Sequence, residues 1–420
     1  MGGDRARWEV VETASHRRRR TPTPLASQPS TAAPAVHRSP GQAPLARPVG
    51  DRGGMSLVLP LETREVARQR LGLLTRRGLL DRGMTDREIA AAVRRGELRR
   101  VRPGSYVSAA DWAEVERTRR IPGLHALAVS ESVGAGTMPL AADTAAWVWA
   151  LPRPPRARDG GDPVHLVNPS GPGARGRDWV LHRAAVPPED VTTRGAYLLT
   201  SASRTVVDLA RRWREVDAVA AVDAALLRGL TTTEDLLAVL DQHATVAGTP
   251  AVRRVLELAD GRAESWLETC GRLAFAAGGL PPFLPQVEIL LDGELLKVVD
   301  GWYPEAALAV EFDGRAKYLA ATPTDVWEEK RVEDLLRSFG IRFIRVTYEM
   351  LTRGWSALRD RVLRELGRPG PSARAFGERP RRAGKVRGGV GADDGWLWRA
   401  SDAVGGPGGP TGLVGPGGGG

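Results

Sequence analysis

The sequence predicts a multi-domain α/β protein in which three ordered units lie between two disordered tails. Two short helices and a hairpin open the ordered part, a pattern typical of an N-terminal winged helix-turn-helix. Helices mixed with short strands then predict an α+β middle domain. The last unit is predicted as helix, three strands, helix, strand and helix, with acidic residues near the ends of two strands.

The net charge of +10 is spread unevenly over the 420 residues. Residues 1–54 carry nine Arg against four acids, and residues 55–110 carry twelve Arg against six acids. A basic N-terminal module is therefore joined to a mildly acidic remainder, which favours an anionic partner for the module. Arginine richness alone says little, because the composition is typical of high-GC bacterial genomes and only four lysines occur in the chain.

Cysteine usage and hydropathy indicate the cellular compartment in which the protein is expected. Cys270 is the only cysteine, so intramolecular disulfides and cysteine-based zinc sites are excluded, which suits a reducing cytosol. No apolar run approaches the roughly eighteen residues of a membrane span. No apolar segment follows the arginines at residues 17–20, as it would in a signal peptide. We therefore expect a cytoplasmic protein without membrane contact.

Both ends of the chain are expected to be disordered. Residues 1–54 are rich in Pro, Ser, Thr and Arg without periodicity, and residues 368–420 end in a run of glycine and proline. Met55 directly precedes the first apolar segment, so translation could start there. The basic tails are interpreted either as solvated extensions or as an auxiliary attraction for DNA.

The first ordered unit, residues 55–110, has the element order of a winged helix. Helices are predicted over residues 62–72, residues 75–82 and the segment after Thr85, and strands over residues 98–101 and 105–108. Thr85 and Glu88 have the S/T-x-x-E form of a capping box at the start of the third helix. Arg102-Pro103-Gly104 is a turn sequence between the two strands, which would form the wing.

Six arginines lie on the two elements that a winged helix applies to DNA: Arg87, Arg94, Arg95, Arg99, Arg100 and Arg102. The first three lie on the predicted recognition helix and the last three on the wing. Arginine pairs with phosphates or reads guanine edges, so this set predicts contact with duplex DNA. The alternative is a solvated basic face on a small helical domain.

The segment LLTRRGLLDRGMTDREIAAAVRRGELRRVRPGSYV, residues 73–107, resembles the N-terminal domain of abortive-infection type IV antitoxins. The resemblance rests on the helix pair and on the motif RRVRPGSYV. It implies a DNA-binding repressor, and a cognate toxin or another defence-system protein as a possible partner.

The middle domain, residues 121–246, carries no catalytic motif. SASRTVVDLARRW and AVAAVDAALLRGLTTTEDLLAVL show helical periodicity, and the region resembles the middle segment of the same antitoxin-like proteins. His125, His165 and His182 have no mutual metal-ligand spacing and are interpreted as ordinary polar residues. Asp208 is assigned to packing or capping. We expect a connector or a partner-binding surface here.

The third unit, residues 249–367, is predicted to hold seven elements. These are a helix over residues 263–277, strands over 286–291, 294–302 and 307–313, a helix over 324–339, a strand over 341–347 and a last helix. Asp292-Gly293 is a two-residue hairpin signal between the first two strands. A turn about Pro304-Glu305 joins the second strand to the third.

Three acids are predicted to meet at one end of this sheet. A turn at Pro304-Glu305 would place Asp300 opposite Ala309, with Glu311 as its diagonal neighbour within about 7–8 Å. Asp313 would project from the same face, because strand side chains repeat every two residues. Burying these carboxylates unpaired costs on the order of several kcal/mol, so Mg²⁺ (or Mn²⁺) is the expected partner. Such an ion activates water and neutralises phosphate charge.

Residues 298–318, VVDGWYPEAALAVEFDGRAKY, and 328–347, EEKRVEDLLRSFGIRFIRVT, resemble endonucleases related to the very-short-patch-repair enzymes. That family belongs to the PD-(D/E)xK superfamily, and the similarity covers about residues 262–366. It implies a restriction-endonuclease-like αβββαβ core that hydrolyses DNA with the help of a metal ion.

The resemblance also implies roles for individual residues. Asp300 takes the place of the first motif aspartate, and Glu311-Phe312-Asp313 replaces the (D/E)xK tripeptide. Because Asp313 stands where the lysine would be, Lys317 and Lys330 are candidates for a displaced lysine. The alternative for either lysine is a structural role.

Glu264 and Glu268 lie one turn apart on the first helix of this unit. Ser265-Trp266-Leu267-Glu268 followed by Arg272 resembles the helix of the repair endonucleases, so Glu268 is the preferred supporting carboxylate. The alternative is that Ser265 and Glu268 only form a capping box.

Two functions remain open from the sequence. The first is a metal-dependent endonuclease that the winged helix delivers to duplex DNA, in phage defence, restriction or repair. Asp300 and Glu311 would then bind the cation, Asp313 and Glu268 would support it, and Lys317 or Lys330 would hold phosphate or water. The second is an antitoxin-like transcriptional repressor whose nuclease fold is catalytically silent. No Ser-His-Asp order, phosphate-binding loop or Rossmann fingerprint is present.

Overall fold

The computed structural model describes residues 70–154, 162–313 and 323–381, which all lie within one compact unit, Leu45–Gly420. Over these residues the predicted mixed α/β architecture is confirmed. Most of the helix predicted at residues 62–72, the start at Met55, most of both tails and Lys317 lie outside them. Along the described ranges, no helix is long and apolar enough to cross a membrane.

The N-terminal part combines short helices with a small antiparallel sheet. Its elements are β1 (Leu74–Thr75), α1 (Arg76–Leu80), α2 (Asp86–Arg94), β2 (Leu98–Arg102), β3 (Ser105–Ser108) and α3 (Ala109–Arg117). The strands are ordered β1-β3-β2. The turn between β2 and β3 lies against the start of α1, because the N–H of Arg76 donates to the carbonyl of Gly104 at 2.7 Å.

The middle part is larger and mostly helical. Its elements are α4 (Ile121–Gly134), α5 (Ala142–Val148), β4 (Val164–Asn168), β5 (Ala174–Arg175), β6 (Trp179–Arg183), β7 (Val191–Arg194), β8 (Tyr197–Thr200), α6 (Ala202–Ala210), α7 (Glu215–Leu227), α8 (Thr233–Gln242) and α9 (Thr249–Leu258). One sheet has the order β4-β6-β5, with β4 parallel to β6 and β5 antiparallel to it. β7 and β8 form a separate hairpin.

The C-terminal part is built on a five-stranded sheet. Its elements are α10 (Trp266–Ala277), β9 (Leu284–Leu291), β10 (Glu294–Tyr303), β11 (Leu308–Phe312), α11 (Pro323–Ser338), β12 (Arg342–Val346), α12 (Tyr348–Thr352), α13 (Trp355–Leu366) and β13 (Gly377–Pro380). The strand order is β12-β11-β10-β9-β13, and within this sheet only the β11–β12 pair is parallel. This element order agrees with the sequence, whereas the assignment to a nuclease core stays a prediction.

β11 is buried on both faces and organises this core. Leu308, Val310 and Phe312 belong to one apolar cluster, while Ala307 and Ala309 belong to the other. Such a continuous apolar run is typical of a strand that is covered on both sides.

Gly271 allows α10 to approach β11 closely. A Cβ atom at Gly271 would lie 1.8 Å from the ring of Phe312, so no larger residue fits there without a shift of one element.

Two of the predicted domain boundaries do not coincide with the limits of the apolar cores. The sequence places α9 in the third unit, but Val252 and Val255 pack into the helical core of α6 and α7. Leu73 and Val107 share one apolar cluster with Leu124 of α4, so the N-terminal part is continuous with the middle part. A polar stretch between two predicted units does not show whether the units share an apolar core, because a shared core depends on tertiary contacts.

The register between β10 and β11 also differs from the prediction. Trp302, not Asp300, pairs with Ala309, and Gly301 pairs with Val310. The reason is that the turn covers residues 304–307 and is thus longer than the predicted turn at Pro304-Glu305. In this turn the N–H of Ala307 donates to the carbonyl of Pro304 at 3.0 Å. If this register is extended by one residue, Asp300 lies opposite Glu311.

The prediction of disorder from residue 368 onward is wrong for the start of that segment. β13 pairs antiparallel with β9 and covers its edge. Arg379 Nε donates to Glu288 Oε2 at 2.6 Å, and Trp302 Nε1 donates to Glu378 Oε2 at 2.7 Å. The sequence did not predict this strand, because its composition is rich in Gly and Pro and the contacts that stabilise the strand are tertiary.

Candidate functional site

The basic candidate site is built on α2. The hydroxyl of Thr85 accepts the N–H of Glu88 at 3.3 Å, and the Glu88 carboxylate accepts the N–H of Thr85 at 2.7 Å, so the predicted capping box is confirmed. Ile89 and Ala92 bury one side of α2 together with Leu98 of β2. The other side of the helix therefore faces solvent.

Three of the six predicted DNA-contacting arginines are exposed on adjacent elements. Arg87 and Arg94 lie on α2, and Arg100 lies on β2. Their exposure leaves the guanidinium groups accessible to an anionic ligand such as a phosphate backbone.

Two further arginines of the set are exposed but engaged within the module. Arg95 donates two hydrogen bonds to Glu97 at 2.8 and 2.9 Å. The guanidinium of Arg99 lies 3.7 Å from the ring centroid of Trp112. An exposed ion pair contributes little to stability, so Arg95 can exchange Glu97 for another anion at small cost.

Arg102 differs from the other five. Its side chain is only 16% exposed and its Nη2 lies 3.1 Å from Asp178 Oδ1, in the turn before β6. Asp178 Oδ2 also lies 3.0 Å from His125 Nε2. Arg102 thus joins the N-terminal and middle parts, and we remove it from the expected DNA contacts.

The acidic candidate site begins at Glu268 on α10, which is buried. Glu268 Oε2 accepts the N–H of Glu264 and the side-chain amide of Gln286, each at 2.9 Å. The same Gln286 nitrogen lies 3.4 Å from Asp300 Oδ1. Gln286 therefore bridges the Glu268 and Asp300 carboxyl groups, a role that the sequence did not reveal.

The Glu268 side chain does not complete the alternative capping box. Ser265 Oγ accepts the N–H of Glu268 at 3.1 Å, but the Glu268 carboxyl turns to Gln286 and to the N–H of Glu264. Burial, and next the charge of Asp300, raises the pKa of Glu268 to about 8. The Glu268 carboxyl therefore binds a proton more readily than an ordinary glutamate side chain.

Lys297 is the lysine that the structure brings to this region. Its side chain is 8% exposed, and its Nζ lies 3.7 Å from Glu311 Oε1 and 3.4 Å from Glu329 Oε1. Asp300 Oδ2 meanwhile accepts the N–H of Phe312 at 2.8 Å, which ties β10 to β11.

Asp313 has partners on β12. Its Oδ2 lies 3.2 Å from Arg345 Nη1, and its N–H donates to the carbonyl of Val346 at 2.9 Å. Arg345 also binds Glu333 of α11 at 2.5 Å. Asp313 therefore belongs to an ion-pair network on β12 and α11.

Of the two lysines predicted from the family pattern, the structure describes only Lys330. Lys330 is exposed on α11, whereas its neighbours Glu329 and Glu333 point toward the sheet. Lys317 lies outside the described residues. Sequence reasoning missed Lys297, although it is one of only four lysines and stands three residues before Asp300.

The described carboxylates do not by themselves form a complete metal site. Among the residues that the structure describes, no group of three or more His, Cys, Asp or Glu side chains could hold a metal ion. Lys297 and Arg345 instead offset the charges of Glu311 and Asp313. The Mg²⁺ or Mn²⁺ site at Asp300, Glu311 and Asp313 stays a prediction.

Two histidines of the middle part meet in space. His165 Nδ1 lies 2.7 Å from His182 Nε2, and the rings stack with centroids 5.0 Å apart. Burial lowers the pKa of His165 to about 4, and the charges of Arg212 and His182 act in the same direction. No sequence pattern indicates this pair, because it is the pairing of β4 with β6 that brings the residues together.

This histidine pair predicts a loss of stability in acid. The pKa of His165 is about 4 in the folded protein, against an ordinary value of 6.5. Neutral His165 therefore makes its full contribution to the free energy of unfolding above pH 6.5. This contribution is lost as the pH falls toward 4, which lowers the free energy of unfolding by up to roughly 3 kcal/mol. In urea unfolding, the free energy of unfolding of His165→Gln should fall less steeply between pH 6.5 and 4 than that of the wild type.

The two stability curves should run parallel between pH 7 and 8, where His165 is neutral in both states. An equally steep acid decline in the wild type and His165→Gln would contradict the assignment to His165.

Comparison with known proteins finds a similarity for the N-terminal module. A family model described as a transcriptional regulator, AbiEi antitoxin, matches residues 62–109. This match supports the N-terminal resemblance: residues 62–109 are similar to an antitoxin-type transcriptional regulator. The endonuclease resemblance of the C-terminal part stays a prediction.

Two curated relatives come from Mycobacterium tuberculosis, one from strain CDC 1551 and one from strain H37Rv, and both are described as uncharacterized proteins. Each is 29% identical over 174 residues, which is 41% of this chain and 62% of the relative. The chain thus spans less than two thirds of the length of these relatives.

Proposed function

We propose that this protein is a DNA-binding transcriptional regulator that reads duplex DNA with its N-terminal module. α2 would act as the recognition helix and the β2–β3 hairpin as the wing of a winged helix. The observation that carries the proposal is the exposure of Arg87, Arg94 and Arg100 within the segment that matches an antitoxin regulator.

Physical chemistry supports this use of the three arginines. Each guanidinium that neutralises a phosphate releases condensed counterions, which supplies most of the sequence-independent affinity. Arginine also pairs with both acceptors of guanine in the major groove, which supplies specificity. As a regulator of the antitoxin type, the protein would in addition act with a cognate toxin, and the middle part would serve either as a connector or as the surface for such a partner.

A reporter assay tests the regulatory role. The DNA upstream of the gene is fused to a reporter in a heterologous host, and the full chain is supplied from a second promoter. We expect severalfold repression by the wild type and none by Arg87→Ala/Arg94→Ala/Arg100→Ala. Unchanged reporter output with the wild-type protein present in soluble, folded form would argue against a regulator of its own promoter.

A second candidate function is hydrolysis of DNA at the acidic site. The observation that favours it is the buried Lys297 between Glu311 and Glu329. Burying charged groups costs on the order of several kcal/mol, and apolar residues would stabilise the fold equally well.

Plasmid cleavage tests this second candidate. The full chain is incubated with supercoiled plasmid and Mg²⁺, Mn²⁺ or EDTA. The second candidate predicts metal-dependent nicking that Asp300→Ala, Glu311→Ala and Lys297→Met each reduce by about a hundredfold or more. Glu305→Ala is the matched control, because Glu305 is an exposed acid in the turn of the same hairpin.

The variants separate the two candidates. Absence of nicking by the wild type, with duplex binding intact, would leave the repressor with a silent nuclease fold. Nicking that survives both Asp300→Ala and Glu311→Ala would show that the activity lies elsewhere.

A further inference from the structure

A second arginine-bearing turn lies in the middle part, between β5 and β6. Its backbone is fixed on both sides, because the N–H of Gly176 donates to the carbonyl of Trp179 at 3.0 Å and the carbonyl of Asp178 accepts the N–H of Val164 at 2.9 Å. Arg175 ends β5 and Arg177 lies on the turn, and both arginines are exposed. The turn therefore presents two positive charges from a rigid backbone.

Asp178 ties this turn to the N-terminal module. Its Oδ1 lies 3.1 Å from Arg102 Nη2, and its Oδ2 lies 3.0 Å from His125 Nε2. The carboxylate of Asp178 is thus directed toward Arg102 and His125, so it already has cationic and polar partners of its own. The neighbouring Arg177 keeps part of its surface in solvent.

Direct contacts continue from Arg102 to the recognition helix. Arg102 ends β2, and two residues further Gly104 accepts the N–H of Arg76 at 2.7 Å. Arg76 Nε donates to Asp86 Oδ1 at 2.7 Å, and Asp86 is the first residue of α2. This chain of contacts connects the β5–β6 turn to the end of α2 at which Arg87 is exposed.

We infer that the β5–β6 turn extends the DNA-binding face, with Arg175 and Arg177 contacting the phosphate backbone beside the site of α2. The inference rests on the proposed DNA binding and adds a second contact region to it. Because the N-terminal and middle parts share an apolar core through Leu73, Val107 and Leu124, the turn is held in place before DNA arrives. A preorganised contact loses little entropy on binding.

Duplex binding by the full chain tests the inference. Fluorescence anisotropy with a labelled duplex is measured over a salt series for the wild type and Arg175→Ala/Arg177→Ala. We expect about tenfold weaker binding at about 0.1 M salt and a salt slope lower by about 2, since each lost phosphate contact lowers it by about 1. Arg361→Ala/Arg364→Ala removes two exposed arginines of α13 and serves as the matched control.

The outcomes separate the inference from the function on which it rests. If the wild type binds duplex DNA and Arg87→Ala/Arg94→Ala/Arg100→Ala weakens it, but Arg175→Ala/Arg177→Ala equals the α13 control, the turn is not a DNA contact. If the wild type shows no duplex binding, both the proposed function and this extension are overturned.

Discussion

Replacing Arg87, Arg94 and Arg100 together by alanine is expected to weaken binding to duplex DNA by about a hundredfold or more, on the order of 1–3 kcal/mol for each guanidinium. All three residues are exposed, so their removal leaves the core of Leu79, Ile89 and Leu98 untouched. The affinity is measured by anisotropy with a labelled duplex at fixed salt.

The matched control removes three arginines from another face. Arg353, Arg361 and Arg364 are exposed on α13 or directly after α12. Their replacement by alanine changes the net charge by the same amount, so it isolates the effect of position. Equal weakening by the two triple variants would mean that net charge, not the α2 face, determines binding.

Arg204→Ala is expected to destabilise the middle part by about 3–5 kcal/mol. Arg204 is buried, and its Nη1 donates to Asp190 Oδ2 at 2.8 Å and to the carbonyl of Ala185 at 3.0 Å. Its Nε donates to Asp208 Oδ2 at 2.8 Å. Removing the guanidinium leaves the buried Asp190 carboxylate without its main counter-charge, which is the costly case for a buried ion pair.

Chemical unfolding followed by tryptophan fluorescence measures this effect. Arg361→Ala is the control, because an exposed arginine on α13 should change the free energy of unfolding by less than about 0.5 kcal/mol. A loss of under about 1 kcal/mol in Arg204→Ala would mean that another group compensates Asp190. Asp208, which the sequence assigns to packing or capping, accepts the hydrogen bond from Arg204 in the structure.

Local signals in the sequence predicted local structure well. The Thr85–Glu88 capping box is present because both of its hydrogen bonds form within one helical turn. Asp292 and Gly293 have φ values of 50° and 84°, as the two-residue hairpin requires. Glu294 pairs with Leu291 across that turn.

Features that depend on turn length or on tertiary contacts could not be predicted. The longer turn at residues 304–307 shifts the register, so Asp300 lies level with Glu311 and not with Ala309. A slip of this kind cannot be detected from periodicity alone, because a shift by an even number of residues keeps every side chain on its face.

The candidate sites show the same limit. Lys297 lies near both Glu311 and Glu329 only because the fold brings β10, β11 and α11 together. Arg102 stands in an arginine-rich hairpin, which predicts contact with DNA, yet its partner Asp178 is distant in sequence. A sequence pattern predicts the charge of a surface, whereas the fold decides which charges stay on it.

The salt dependence of duplex binding by the full chain tests the central claim most directly. If Arg87, Arg94 and Arg100 each neutralise a phosphate, a plot of log K against log salt should have a slope of about −3 or steeper. The slope should become less steep by about 3 in the triple variant and stay unchanged in the triple control variant of Arg353, Arg361 and Arg364. No measurable binding to duplex DNA, or an affinity that does not change with salt, would contradict a DNA-binding regulator.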